Sequence, residues 1–346
     1  MTTTPPEGTN PPVLDRFRRP IRDLRISVTD RCNFRCPYCM PAEIYGERYQ
    51  FLPRESLLTF EEITRLTGIL VKLGVTKVRV TGGEPLVRAD VDQLIAMLAA
   101  LPGVDDLAMT TNAYLLPQFA QKLWDAGLRR ITISLDSLDD EVFRKMNGRN
   151  FGTERVLEGI AAADEVGFSP IKINAVVQRG VNDHTIVDLA RFAREHGHIV
   201  RFIEYMDVGT LNGWKMDDVV PADEIVARIS AEMPLEPMSA NYTGEVANRF
   251  RFADGTGEIG VIASVTKPFC GDCTRMRLSP EGQFVTCLFA TSGTDLRTPL
   301  RSDATDEEIE EIVRGVWTGR DDRYSEIRTM FTDEPRKKVE MYHIGG

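Results

Sequence analysis

All six cysteines of this 346-residue chain fall into two triplets, Cys32, Cys36 and Cys39 near the front and Cys270, Cys273 and Cys287 near the back. The front spacing is Cys-x3-Cys-x2-Cys and the back spacing Cys-x2-Cys-x13-Cys. A closed zinc or iron–sulfur site normally takes four protein ligands. Three thiolates leave one metal position open for something that reacts, and two triplets point to two open sites. The front run is too compact for a zinc finger and lacks the fourth cysteine of a ferredoxin run. For the back triplet a structural zinc site with a histidine as fourth ligand stays open. The four histidines, His184, His196, His198 and His343, all lie far from it in sequence.

Composition bounds what surrounds these sites. The chain is long enough for one large barrel with an appendage. No apolar run approaches the ~18 residues of a membrane span. Residues 1–12 are polar and proline-rich, unlike a secretory signal, and read as a disordered lead-in. The expected location is cytoplasmic, where thiols stay reduced. A net charge of −10 argues against a general nucleic-acid or membrane-surface binder. Yet 33 of the 42 basic residues are arginine, the residue that clamps phosphate bidentately.

The elements that position the cysteines follow from periodicity. Strand patterns at 24–28, 77–81, 107–111, 130–136, 171–177 and 199–206 alternate with helical ones at 60–73, 91–101, 117–126, 153–166 and 183–196. Gly74, Gly127, Gly167 and Gly197 are expected helix stops. Alternation of this kind implies βα units and a parallel sheet. Six strands are too few for a closed eight-fold barrel, so the expected fold is α/β, a partial (βα)6 barrel. Several strands carry a polar face: Lys77, Arg79 and Thr81; Thr132, Ser134 and Asp136; Lys172 and Asn174. That face would line the lumen, and cations there call for an anionic ligand. After residue 209 the alternation stops. Strands are expected at 250–252, 258–264, 275–278 and 283–287, with a hairpin turn at Ser279–Gly282, and helices at 221–230 and 305–317. The expected division is a lead-in over 1–20, the barrel over 21–209, a back-cysteine region over 210–340 covering the open side, and a tail over 341–346.

Cys32-Asn-Phe-Arg-Cys36-Pro-Tyr-Cys39, directly after the first strand, resembles the signature of the radical S-adenosylmethionine superfamily. Thr81-Gly82-Gly83-Glu84-Pro85, ending the second strand, matches its Gly-Gly-Glu-Pro motif. Over nearly the whole length the chain resembles the GTP 3′,8-cyclase family of molybdenum cofactor biosynthesis. The likeness runs through residues 23–41 and 77–85, Cys270-Gly-Asp-Cys273-Thr-Arg-Met-Arg277-Leu, Cys287 and the terminal Gly345-Gly346. The resemblance implies a radical-SAM barrel whose front thiolates hold a [4Fe–4S] cluster that cleaves S-adenosylmethionine to a 5′-deoxyadenosyl radical. It implies a second [4Fe–4S] cluster on the back thiolates, with the guanine of GTP on its open iron. S-adenosylmethionine contacts then fall on Tyr38, Gly83, Ser134 and Met206. GTP contacts fall on Arg25, Arg79, Thr110, Lys172, Arg275, Met276 and Arg277. The radical removes H3′, C3′ attacks C8, and the product is (8S)-3′,8-cyclo-7,8-dihydroguanosine 5′-triphosphate. No side chain acts as the catalyst, and Gly345 and Gly346 assist by reaching into the site.

The partners so implied are a flavodoxin- or ferredoxin-like electron donor and a downstream cyclic pyranopterin monophosphate synthase; a homodimer stays open. One departure is Arg18-Arg19-Pro20, where many relatives carry Gly-Arg; preceding the barrel, it is expected to leave the site untouched. Two other readings are a twin-cluster radical enzyme acting on a peptide and a non-catalytic iron–sulfur or zinc scaffold.

Overall fold

The structure, a computed structural model, describes residues 12–331 and 337–345. Six strands come in the expected order: β1 (Asp23–Ser27), β2 (Lys77–Thr81), β3 (Asp106–Thr111), β4 (Arg130–Ser134), β5 (Lys172–Val177) and β6 (Ile199–Glu204). Each pairs in parallel with the next. The intervening helices bury one apolar stripe on the outer face of the sheet. The helix Phe60–Lys72 is typical: Thr59 and Glu62 form a capping box, and Ile63, Leu66, Ile69 and Leu70 face inward. The four expected glycine stops all hold positive φ, from 70° to 118°. A helix at Asp140–Asn147 was not anticipated; its apolar content is only Val142, Phe143 and Met146, too short a stripe to register as periodic.

The C-terminal third joins this sheet. It supplies β7 (Leu235–Met238), β8 (Asn248–Phe252), β9 (Glu258–Ile262), β10 (Arg275–Leu278), β11 (Gln283–Val285) and β12 (Thr294–Asp295). The order across the single sheet is β12-β11-β10-β1-β2-β3-β4-β5-β6-β9-β8-β7. β10 runs parallel to β1 and β9 parallel to β6, so eight parallel strands form the centre. The expected six-strand partial barrel is thus extended at both edges. β9 is reached through the antiparallel hairpin β8–β9, and β10 leads into the antiparallel hairpin β10–β11, so neither fits a βα alternation.

The expected lead-in over 1–20 is corrected from residue 13 onward, residues 1–11 lying outside the described residues. Val13 and Ile21 join the core, Leu14 bridges Pro20, and Asp15 and Arg19 are buried. Arg18 turns this segment at φ 63°, a conformation glycine takes more cheaply. At the other end Met341–Ile344 is helical and brings Gly345 to the barrel mouth; Gly346 lies outside the described residues.

Candidate active site

The front cysteines occupy the loop after β1. Cys36 O accepts from Cys39 N at 2.9 Å and Met40 N at 2.7 Å, closing a tight turn between the last two cysteines. Arg35 reaches back to Tyr45 O at 2.6 Å and Cys32 O at 2.7 Å. Phe34 N points at Cys32 Sγ, 3.4 Å away. Beneath this loop the Gly82-Gly83-Glu84-Pro85 turn packs so closely that a Cβ on Gly83 would overlap the carbonyl of Arg31. Glu84 accepts from Thr111 Oγ1 at 2.6 Å, Asn112 N at 2.7 Å and Leu86 N at 3.0 Å. Burial still pushes its carboxyl up to about 7. Tyr38 donates to Asp136 Oδ2 at 2.8 Å, and Asp136 also accepts from Val176 N, tying the loop to β4 and β5.

All six cysteines are free thiols and all six line one cavity of about 300 Å³. Burial, then Glu84, pushes Cys32 up to about 12; burial, then Asp322, does the same to Cys287. Cys36 and Cys39 are driven up as well, chiefly by burial. Thiols that resist ionising on their own are poor nucleophiles and suit a role in which bound metal supplies the compensating charge. Cys273 differs: burial raises it, but Arg275 and Arg320 outweigh burial and bring it to about 7. The front donor set is of the kind that a three-thiolate iron–sulfur group with an open position takes, and the back triplet presents three more free thiols to the same cavity. The zinc reading needs a histidine, and the four sit elsewhere. His343 pairs with Glu281 at 2.6 Å, His198 with Asp164 at 3.3 Å, His196 stacks on His198, and His184 lies in the turn Asp183–Thr185.

Strand register arranges the charges in rows. At one level stand Arg275, Asp23, Lys77 and Asp106, alternating in sign across four neighbouring strands. Lys77 lies 3.8 Å from Asp23 and 3.4 Å from Asp106. One pleat nearer the mouth the same face carries Arg277, Arg25 and Arg79 side by side, with Ala108 next. No carboxylate stands in that second row. Burial pushes all three guanidiniums down, followed by Arg79 for Arg25, by Arg25 for Arg277, and by Arg201 and Arg130 for Arg79. Arg79 donates to Thr110 Oγ1 at 3.0 Å and Thr132 Oγ1 at 3.1 Å. Three adjacent buried cations without counter-ions are costly unless an anion joins them.

Of the expected contacts, Tyr38, Gly83, Ser134, Met206, Arg25, Arg79, Thr110, Arg275 and Arg277 line the cavity. Lys172 does not; it lines a void of about 50 Å³ behind it, together with Lys77, Arg130, Arg201 and Tyr242. Met276 turns its side chain away from the cavity. It is fully buried in the core on the opposite face of β10, as period two requires for the residue between Arg275 and Arg277. Gly345 does reach the site: its carbonyl accepts from Arg277, and a Cβ on it would run into Thr81.

Sequence reasoning missed Arg201, Asn174 as a site residue, and Arg320, all on the cavity wall. Arg201 could have been found, because Arg201 and Ile203 alternate with Val200 and Phe202 in β6. Asn174 Oδ1 is buried with no hydrogen-bond partner, an acceptor left for a ligand donor. Arg320 lies beyond any strand and carries no sequence signal.

Residues 26–193 match the family model of the radical SAM superfamily, and residues 198–326 match Molybdenum Cofactor Synthesis C. A GTP 3′,8-cyclase from Acidothermus cellulolyticus is 54% identical over 359 residues, covering 97% of this chain and 99% of that protein. One from Staphylococcus saprophyticus is 48% identical over 337 residues, covering 96% and 99%. Among solved structures, Streptococcus suis SuiB bound to the precursor peptide SuiA superposes with a TM-score of 0.58 at 18% identity. That match covers 89% of this chain but only 66% of SuiB, and at such identity the likeness extends to the fold alone.

Proposed function

The chain belongs to the GTP 3′,8-cyclase family of radical S-adenosylmethionine enzymes, and on that premise we propose that it converts GTP to (8S)-3′,8-cyclo-7,8-dihydroguanosine 5′-triphosphate at the mouth of the barrel. One observation carries the reading: both thiol triplets and an uncompensated row of three arginines face the same cavity. Cys32, Cys36 and Cys39 would hold a [4Fe–4S] group, and Cys270, Cys273 and Cys287 a second. When bound with S-adenosylmethionine, the front group supplies a hydrogen-abstracting carbon radical.

The chain's own residues bind, orient and exclude. Tyr38, Gly83, Ser134 and Met206 bound the space for S-adenosylmethionine beside the front thiols. Arg25, Arg79 and Arg277 balance the triphosphate, with Lys172 and Arg201 behind them. Their anchoring at one level of a rigid sheet keeps the ribose fixed while C3′ and C8 of the same molecule are joined. Phe34, Phe143, Ile203, Ile262, Phe269 and Leu288 supply apolar wall that keeps water and stray hydrogen donors away. The Gly345 carbonyl holds Arg277 in place from the tail side. Cyclisation followed by uptake of one electron and one proton leaves an isomer of GTP. A flavodoxin- or ferredoxin-like donor and a downstream cyclic pyranopterin monophosphate synthase are the partners this chemistry calls for. Among the described residues no helix is long and apolar enough to cross a membrane.

Anaerobic turnover with reconstituted protein, reductant and S-adenosylmethionine tests the reading. GTP, but not ATP, should provoke 5′-deoxyadenosine formation and yield a product of the mass of GTP; Cys32→Ala should abolish both. Cleavage indifferent to nucleotide would move the substrate to another class.

A further inference from the structure

The back triplet is held by a buried ion network drawn from three distant parts of the chain. Arg320 follows the helix Asp306–Thr318 and its side chain is 1% exposed. It donates through Nη2 to Cys273 Sγ at 3.2 Å and through Nη1 to Cys273 O at 2.8 Å. Its Nε pairs with Asp322 at 3.1 Å, and its face lies 4.5 Å over the Trp317 ring. Asp15, whose side chain is fully buried, lies 3.4 Å from Arg320 Nη1 and 2.6 Å from Arg19 Nε. Arg19 in turn donates to Cys270 O at 2.7 Å and to Asp322 O at 2.8 Å. The carbonyls of two of the three cysteines are thus gripped by two guanidiniums that share one carboxylate.

The charges explain why the arrangement singles out a sulfur. Arg19 and Arg320 face Asp15 and Asp322, which balance them in number. Arg320 nevertheless directs a third N–H at Cys273 Sγ instead of making a second bond to either carboxylate. A planar fork can do this and an ammonium cannot, since it must meet a carbonyl, a carboxylate and a sulfur at fixed angles. Outer groups of this kind orient metal ligands and tune what they hold, and hydrogen bonds to sulfur together with local charge set iron–sulfur potentials.

We propose that Arg320, oriented by Asp15 and seconded by Arg19, is a positioning residue of the back triplet that raises the reduction potential of its iron–sulfur group and slows its loss of iron. The proposal rests on the second-cluster reading above. It also gives residues 13–20 a role, since they carry half of the clamp and are not a passive lead-in.

The test uses full-length chain in a Cys32→Ala/Cys36→Ala/Cys39→Ala background, where only the back triplet can hold an iron–sulfur group. Arg320→Gln should lower the midpoint potential, read by electron paramagnetic resonance during redox titration. It should also speed iron loss to a chelator by roughly tenfold, the usual scale for removing an outer partner of a metal ligand. Arg320→Lys, which keeps the charge but not the fork, should fall between the two, and it decides the matter if the Gln variant does not fold. Potential and iron release both equal to those of the parent would overturn the proposal alone. A parent that takes up no iron and sulfide would overturn the second-cluster reading and the proposal together.

Discussion

Arg79 lines the main cavity, the small void behind it and a third cavity of about 390 Å³ at the barrel floor. No other side chain touches all three among the residues bounding them, so a triphosphate bound as proposed would lie against it. Its neighbours Thr110 and Thr132 are neutral, so they fix its direction without cancelling its charge. Replacing it with Gln keeps a polar group there and removes the cation. A charge-assisted contact contributes about 1.5–3 kcal/mol, so GTP should bind roughly 10- to 100-fold more weakly. S-adenosylmethionine affinity should stay unchanged, because Ser134 and Met206 do not depend on Arg79. Equilibrium dialysis with each ligand reads both; GTP affinity within twofold of the parent would remove Arg79 from the site. Such residues were legible in the sequence because a strand alternates, so Arg25, Arg79 and Lys172 announce a polar face. Alternation likewise turns the Met276 side chain, between two arginines of the site, into the core. Arg320 illustrates the limit: its role comes from packing between a loop, a helix end and the segment around Asp15, and nothing local in the chain marks it.

At the scale of elements, the central question is what welds the C-terminal strands to the barrel. Glu204 ends β6 and is fully buried. Its carboxylate accepts from Ala222 N at 2.8 Å, Val265 N at 2.7 Å and Thr266 N at 2.8 Å, with Thr266 Oγ1 also bonded. It therefore starts the helix Ala222–Glu232 and fixes the turn after β9, holding β9 against β6. Glu204→Gln presents an NH2 where backbone N–H groups already point, leaving donors facing donors. The expected cost is about 2–3 kcal/mol, read as a lowered denaturation midpoint in urea, with the proposed GTP contacts on β1 and β2 intact. A midpoint equal to the parent's would show that β9 is held by its ladder alone. The six inner strands were legible because helices separate them with regular spacing. The joining of β9 and β10 was not, since which edge a hairpin strand chooses depends on distant partners. The hairpin itself was readable from Ser279-Pro-Glu-Gly282, where Gly282 takes φ 87°.

For the whole molecule the contrast is between an acidic exterior and a cationic lumen: the chain carries a net charge of −10, yet Lys77, Arg79, Arg130, Lys172 and Arg201 crowd one void. Asp23, Asp106, Glu245 and Tyr242 stand near them, too few to neutralise the cluster: Asp23 is engaged with Lys77, and Asp106 is shared by Lys77 and Arg130. The guanidiniums keep their charge at any ordinary pH, so the strain falls on the amine. Burial first, then Arg201, Arg130, Arg79 and Lys77, pushes Lys172 down to about 8. A lysine depressed on folding destabilises the native state while it is protonated, so ligand-free protein gains stability as pH rises from about 8 towards the ordinary lysine value near 10.4. A triphosphate reverses this by favouring the ammonium, and GTP binding above pH 8 must take up a proton. Affinity should then fall by up to about tenfold per pH unit above 8 and level off below about 7. Calorimetry in two buffers of different ionisation heat reads the proton directly: close to one bound per GTP near pH 9, close to none near pH 6.5. Lys172→Gln should flatten the profile and abolish the buffer dependence. If the wild-type profile is already flat from pH 7 to 9, Lys172 does not face the phosphates and the triphosphate ends at Arg79.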